Sequence, residues 1–247
     1  VWQAFHEDVK DQGVEVVTVG IDTAGPEACR AFIEAASPTH PSLIDEHHRV
    51  AELFGVVNIP NAVWIDEAGM IVRPAETSPA PPSVGVERTA NQRAMPEEPP
   101  ARVVEMMTHA SQITYDAPTY EAALRDWIEK GADSEFALAP AEVIDRSGPR
   151  NADSARGHAH FELATHFELA GNHQAAIQHF RAAHELVPGN FAFRRQAWSL
   201  EPSVEGPLAR FWQGPLDGQE ADWPYESDWI TDVKEMGAAN YYPTWQP

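Results

Sequence analysis

A chain of 247 residues is too long for one small α/β domain and suits two compact units with linkers. Its 38 acidic and 17 basic residues give a formal net charge of -21, spread along the whole length, which repels phosphate backbones and anionic lipid headgroups and sets nucleic acid and membrane aside as partners. The single cysteine, Cys29, excludes an intramolecular disulfide and a thiolate zinc cluster within these residues.

Trp2, Phe5 and Val9 recur at helical spacing, so the spacing predicts a helix over 1–12, ended by Gly13. The β-branched run from Val14 to Ile21 reads as a buried parallel strand. Helical periodicity returns over 26–36 through Ala28, Cys29, Phe32, Ile33 and Ala36. Leu43 and Ile44 make a short strand. A helix over 47–54 turns Val50, Leu53 and Phe54 inward and stops at Gly55. After Asn58-Ile59-Pro60-Asn61, the stretch from Ala62 to Ile65 is a strand, Asp66 to Gly69 a tight turn, and Met70 to Arg73 the returning strand. Alternating helices and strands with a closing hairpin make an α/β domain, expected over 1–74. The run from Val14 to Ile21 needs a neighbouring strand. The expectation is one upstream of Val1, with the first strand and the redox motif missing and the chain a fragment. Ala62–Ile65 is expected beside Val14–Ile21 in one sheet.

The stretches from Gly13 to Asp22, from His40 to Val56 and from Ile59 to Val72 resemble, in order, three segments of the TlpA/ResA-like thioredoxin-fold (redoxin) family. These are its second strand, its strand–helix insertion, and its cis-proline loop with the final hairpin. The resemblance implies a thiol-disulfide oxidoreductase or related antioxidant protein, acting on a protein or peptide thiol or disulfide. In that family a Cys-x-x-Cys motif at a helix N-terminus forms the attacking thiolate. A second thiol then resolves the mixed disulfide. The motif would lie upstream of Val1, so this chain alone is expected to be inactive and to carry no catalytic residue. The remaining site residues are Ile59 and Pro60. The resemblance implies a cis bond at Pro60 and implies that the Ile59 backbone pairs with substrate as an added strand. Cys29, among apolar helical neighbours, reads as a small hydrophobe. A peroxiredoxin would carry a cysteine preceded by a threonine on the first helix, and this helix has neither. No cofactor is implied.

Prolines at 74, 79, 81, 82, 96, 99 and 100 mark 75–100 as a linker. Two helices, near 101–112 and over 118–130, form a connector across 101–150, and one of them is expected to serve as the last helix of the first domain. Within 151–202, His160, Leu163, Ala164, Phe167, Ala176, Phe180, Ala183 and Pro188 fall at fixed offsets, with Gly171-Asn172 at a turn. This pattern resembles one tetratricopeptide (TPR) repeat. It implies antiparallel helices near 157–170 and 173–186, packed through small residues, with a protein partner at this all-α region. The histidines at 158, 160, 166, 173, 179 and 184 lack the i, i+4 spacing of a helical metal site, so no metal is expected. Trp223, Trp229, Tyr241, Tyr242 and Trp245 make 203–247 an aromatic strap. The alternative function is a non-catalytic thioredoxin-fold/TPR adaptor that mediates protein–protein interaction.

Overall fold

A computed structural model describes residues 2–78, 99–201, 213–215 and 217–247. Most of the expected linker at 75–100 and part of the tail therefore lie outside the described residues. By its contacts the chain divides into two units. Described residues within 1–85, 115–152 and 245–247 form the first, and those within 86–114 and 153–244 the second. The expected connector over 101–150 is thus shared between them, because its second helix packs with the first unit and its first helix with the second.

The first unit begins with α1 (Trp2–Val9), followed by one 3-10 turn that closes at Gly13 with φ 79°, a conformation open to glycine. The strand expected from Val14 is shorter: β1 is Thr18–Ile21, paired in parallel with β2 (Ser42–Asp45). Between them lies α2 (Pro26–Ala36), with Pro26 pre-set for the first turn. Next come α3 (Arg49–Phe54), β3 (Asn61–Ile65) and β4 (Ile71–Thr77), the last two antiparallel. The turn between them is fixed by the Asp66 carboxylate, which accepts the amides of Ala68 and Met70. Later in the chain, α5 (Ala117–Lys130) starts on Asp116, whose side chain accepts the Thr119 amide, and α6 (Pro140–Ser147) packs on β4.

The structure departs from the sequence expectations at four places. β1 and β3 do not share a sheet, since the described residues form two separate two-stranded sheets. Val14 and Val16 instead pack by their side chains against a cluster of Phe5, Val9, Trp64, Tyr120, Ala123 and Leu124. Alternation sets which residues face a core, not which backbone edge is paired. Second, α2 has no buried residue, and Phe32 is 53% exposed. Third, Leu53 is 69% exposed, because six residues of α3 turn Ala51 to the interior instead. Fourth, β4 runs through Pro74 to Thr77. The register shifts between Ala62 and Trp64, and this irregularity opposite Pro74 accommodates a residue with no N–H to give the ladder.

In the second unit, α4 (Ala101–Ala110) buries Val103 completely. A hairpin of α7 (Ala152–Leu169) and α8 (His173–Leu186) turns at Gly171, and Asn172 caps α8 by accepting the Ala175 amide. Phe180 is fully buried, with its ring 5.5 Å from that of Phe161. Phe167 is partly buried and stacks on His179. Next, α9 (Phe191–Ser199) packs on α8. The tail is more than a strap: α10 (Trp229–Met236), capped by Asp228, packs on α4 and buries Trp229, Ile230 and Val233. Only its last residues, Trp245 to Pro247, belong to the first unit.

Candidate functional site

The loop that carries Ile59 and Pro60 is defined at both ends. On the α3 side, Gly55 takes φ 77° and the Val56 amide returns to the Ala51 carbonyl, which ends the helix. On the sheet side, the Pro60 carbonyl accepts the amide of Ser78, one step beyond the Asn61–Thr77 pair that opens the hairpin. Between these points the buried Asn58 accepts the Ile59 amide on its side-chain oxygen at 2.9 Å. The Ile59–Pro60 peptide is cis. Ile59 is partly buried and Pro60 is exposed.

A dense aromatic and ionic cluster supports this hairpin. Trp64 donates its indole N–H to the Tyr120 hydroxyl at 3.0 Å and stacks on Trp127 with centroids 5.1 Å apart. The Tyr120 phenol is raised above its ordinary value by burial, against the opposing hydrogen bonds of Ser78 and Trp64, and stays neutral. Arg73 is 1% exposed. Its guanidinium forks onto Glu76 at 2.8 and 3.0 Å and lies over the rings of Trp64 and Trp245 at 5.5 and 4.7 Å. It also donates to the carbonyls of Phe136 and Gln246. A buried arginine needs all of its charge matched and its N–H groups used, and here the pair, the rings and two carbonyls supply that. Sequence reading did not single out Arg73 or Ser78. The visible signal was an arginine three residues before a glutamate at the end of an apolar strand.

Cys29 sits elsewhere. Its sulfur packs against Gly20 of β1, where an added Cβ would come within 2.9 Å of it. It lines a concavity of about 450 Å³ with Trp2, Val19, Ile21, Phe32 and Leu43. Neither Ile59 nor Pro60 lines that concavity. Partial burial, reinforced by the Asp22 charge, raises the Cys29 thiol, so the thiolate is disfavoured at neutral pH.

The histidines of the second unit are drawn into packing and ion pairs. His160 and His179 meet at 2.9 Å through their Nδ1 atoms. His173 lies between Glu168 and Glu201, and His184 is buried beside Tyr225. Among the described residues no group of three or more His, Cys, Asp or Glu side chains is arranged to hold a metal ion.

No curated protein and no solved structure matches the chain. Residues 2–73, from α1 into β4 and including the Ile59–Pro60 loop, match the model of the AhpC/TSA family, a match that carries a thioredoxin-like fold for this stretch.

Proposed function

We propose that the first unit is the substrate-binding part of a thioredoxin-like redox protein of the TlpA/ResA-like kind, and that its ligand is an extended protein or peptide segment carrying a thiol or disulfide. The observation that carries this reading is the AhpC/TSA match over residues 2–73, which takes in the loop where Ile59 and Pro60 open β3. An extended segment laid along that loop gains main-chain hydrogen bonds and needs little side-chain recognition, which suits a substrate class defined by its sulfur chemistry. Thiol–disulfide exchange with a resolving step uses two thiols, and this chain has Cys29 alone. The reading therefore gives this chain binding without turnover.

The test is the affinity of the chain for S-sulfonated insulin B chain, an unfolded cysteine-containing polypeptide, measured by calorimetry beside Asn58→Ala. That substitution removes the acceptor that holds the Ile59 amide and costs about 1 to 3 kcal/mol of local order. The reading expects measurable binding that the substitution weakens. Absent binding, or binding indifferent to Asn58, would reject it.

A second reading, the thioredoxin-fold/TPR adaptor, draws support from the α7–α8 hairpin, whose seam is lined by Gly157, Ala164, Ala176 and Ala183, with Leu163 and Leu169 exposed outside it. In that reading the first unit is a scaffold and the hairpin takes a protein partner.

A further inference from the structure

The histidine at the start of α8 is bridged on both sides by carboxylates. Its Nδ1 lies 2.7 Å from Oε2 of Glu168, at the end of α7, and its Nε2 lies 3.3 Å from Oε2 of Glu201, just after α9. A neutral imidazole has one N–H and one bare nitrogen, and an imidazolium has two N–H donors. Two facing carboxylates are therefore both satisfied only by the charged ring. The Glu201 side chain is 8% exposed, and the Tyr225 hydroxyl faces it from the segment before α10. A bare nitrogen turned toward that carboxylate would set lone pair against lone pair where little water can intervene.

We propose that the Glu168–His173–Glu201 bridge is a pH-operated latch, which holds the end of α9 against the α7–α8 hairpin while His173 is an imidazolium and releases it when the ring becomes neutral. The shorter contact to Glu168 keeps the single remaining N–H, so the contact that opens is the one to Glu201.

The surroundings point the same way. Burial works against the charged ring, but the Glu168 hydrogen bond and the Glu201 and Glu168 charges outweigh it, and His173 is raised above 6.5. The contribution of a raised histidine is complete below 6.5 and is lost as pH rises through its folded-state value. Glu201 is itself raised from 4.5, chiefly by burial, so acid neutralises it first. The latch thus works between ionisation of Glu201 and deprotonation of His173. Of the other groups facing this corner, Tyr225 is held protonated by burial and by the Glu201 charge. His184 on α8 packs on Tyr225 and is lowered to about 4 by burial and by Arg194 of α9, so it stays neutral throughout the window. Glu226 is paired with Arg181 of α8.

The experiment uses the full chain with labelled histidine. The His173 Cε1 resonance is followed from about pH 5 to about pH 9, together with the exchange of the Leu200 and Glu201 amides, which close the end of α9, corrected for intrinsic exchange. The latch predicts a His173 midpoint above 6.5, loss of amide protection through that same midpoint, and a lower midpoint in Glu201→Gln. If that variant fails to fold, Glu168→Gln, on the more exposed side of the bridge, must lower the midpoint in its place. A midpoint at or below 6.5, or protection at the end of α9 that does not follow it, would overturn the proposal.

Discussion

The clamp around Arg73 offers the sharpest test of how the hairpin behind the Ile59–Pro60 loop is held. Consider Arg73→Met. The arginine is 1% exposed, and its Glu76 partner is 18% exposed at the side chain, so the substitution leaves a largely buried carboxylate without its cation. It also removes donors from the carbonyls of Phe136 and Gln246 and the cation that lies over Trp64 and Trp245. Breaking one side of a buried ion pair costs about 3 to 5 kcal/mol. The carbonyl and ring terms belong to the same network and do not simply add. A loss of about 4 kcal/mol corresponds to a fall in melting temperature on the order of 10 °C or more for a unit of this size. The double variant Arg73→Met/Glu76→Leu removes the stranded charge, so it should recover a large part of the loss. Arg73→Lys keeps the charge but not the planar fork and should lie between the two. Denaturant unfolding followed by near-ultraviolet circular dichroism, which reads the Trp64–Trp127 stack, gives the three values. If Arg73→Met costs less than about 1 kcal/mol, or the double variant is as unstable as the single, the ion pair is not what holds this hairpin.

Three further outcomes follow from the same reasoning. His184 is lowered from 6.5 to about 4, mainly by burial and then by Arg194. The unfolded chain therefore takes up a proton first, so the contribution of His184 to the stability of the second unit is full above 6.5 and falls by about 3 kcal/mol as pH drops toward 4, opposite in sign to that of His173. His184→Phe should flatten this slope in pH-dependent melts, and an unchanged slope would assign it to other groups. Gly157→Ala adds a Cβ that meets Val187 at 2.3 Å, so the variant should lose about 1 to 3 kcal/mol in urea unfolding despite the better helix propensity of alanine. Val187→Ala should restore the loss, and a stabilised single variant would contradict the close packing at that seam. In an insulin-reduction assay with dithiothreitol, the chain should match the dithiothreitol background, because its lone thiol is partly buried and raised, and no second thiol stands by to resolve a mixed disulfide. Turnover above background that Cys29→Ser abolishes would show Cys29 to be reactive.

Local signals were legible in the sequence where the chain itself supplies them. Pro26 and Asn172 open α2 and α8, and Gly131 closes α5, because caps and breakers act within a turn of where they stand. Partnership across the chain was not legible in the same way. The Trp64–Tyr120 hydrogen bond joins residues 56 positions apart, and no periodicity records such a contact. The run from Val14 to Ile21 reads as one strand because it is rich in β-branched residues, yet only its second half finds a backbone partner. The short helix from Trp229 to Met236 was hidden by its aromatic neighbours, although Asp228 in front of it is a capping residue. At the candidate site the loop could be located from Asn58-Ile59-Pro60, but its anchors Ser78 and Arg73 could not. One acts through its backbone amide and the other through contacts that converge only in the fold.

The central claim is that the Ile59–Pro60 loop is where the first unit meets its substrate. It is tested most directly by titrating the ¹⁵N-labelled chain with S-sulfonated insulin B chain and mapping the amides that shift. The account predicts that the largest and earliest changes fall on Ile59, Asn61 and Ser78, the amides that frame the loop. Saturable changes confined to the α7–α8 hairpin, with Ile59, Asn61 and Ser78 unmoved, would contradict it and favour the adaptor.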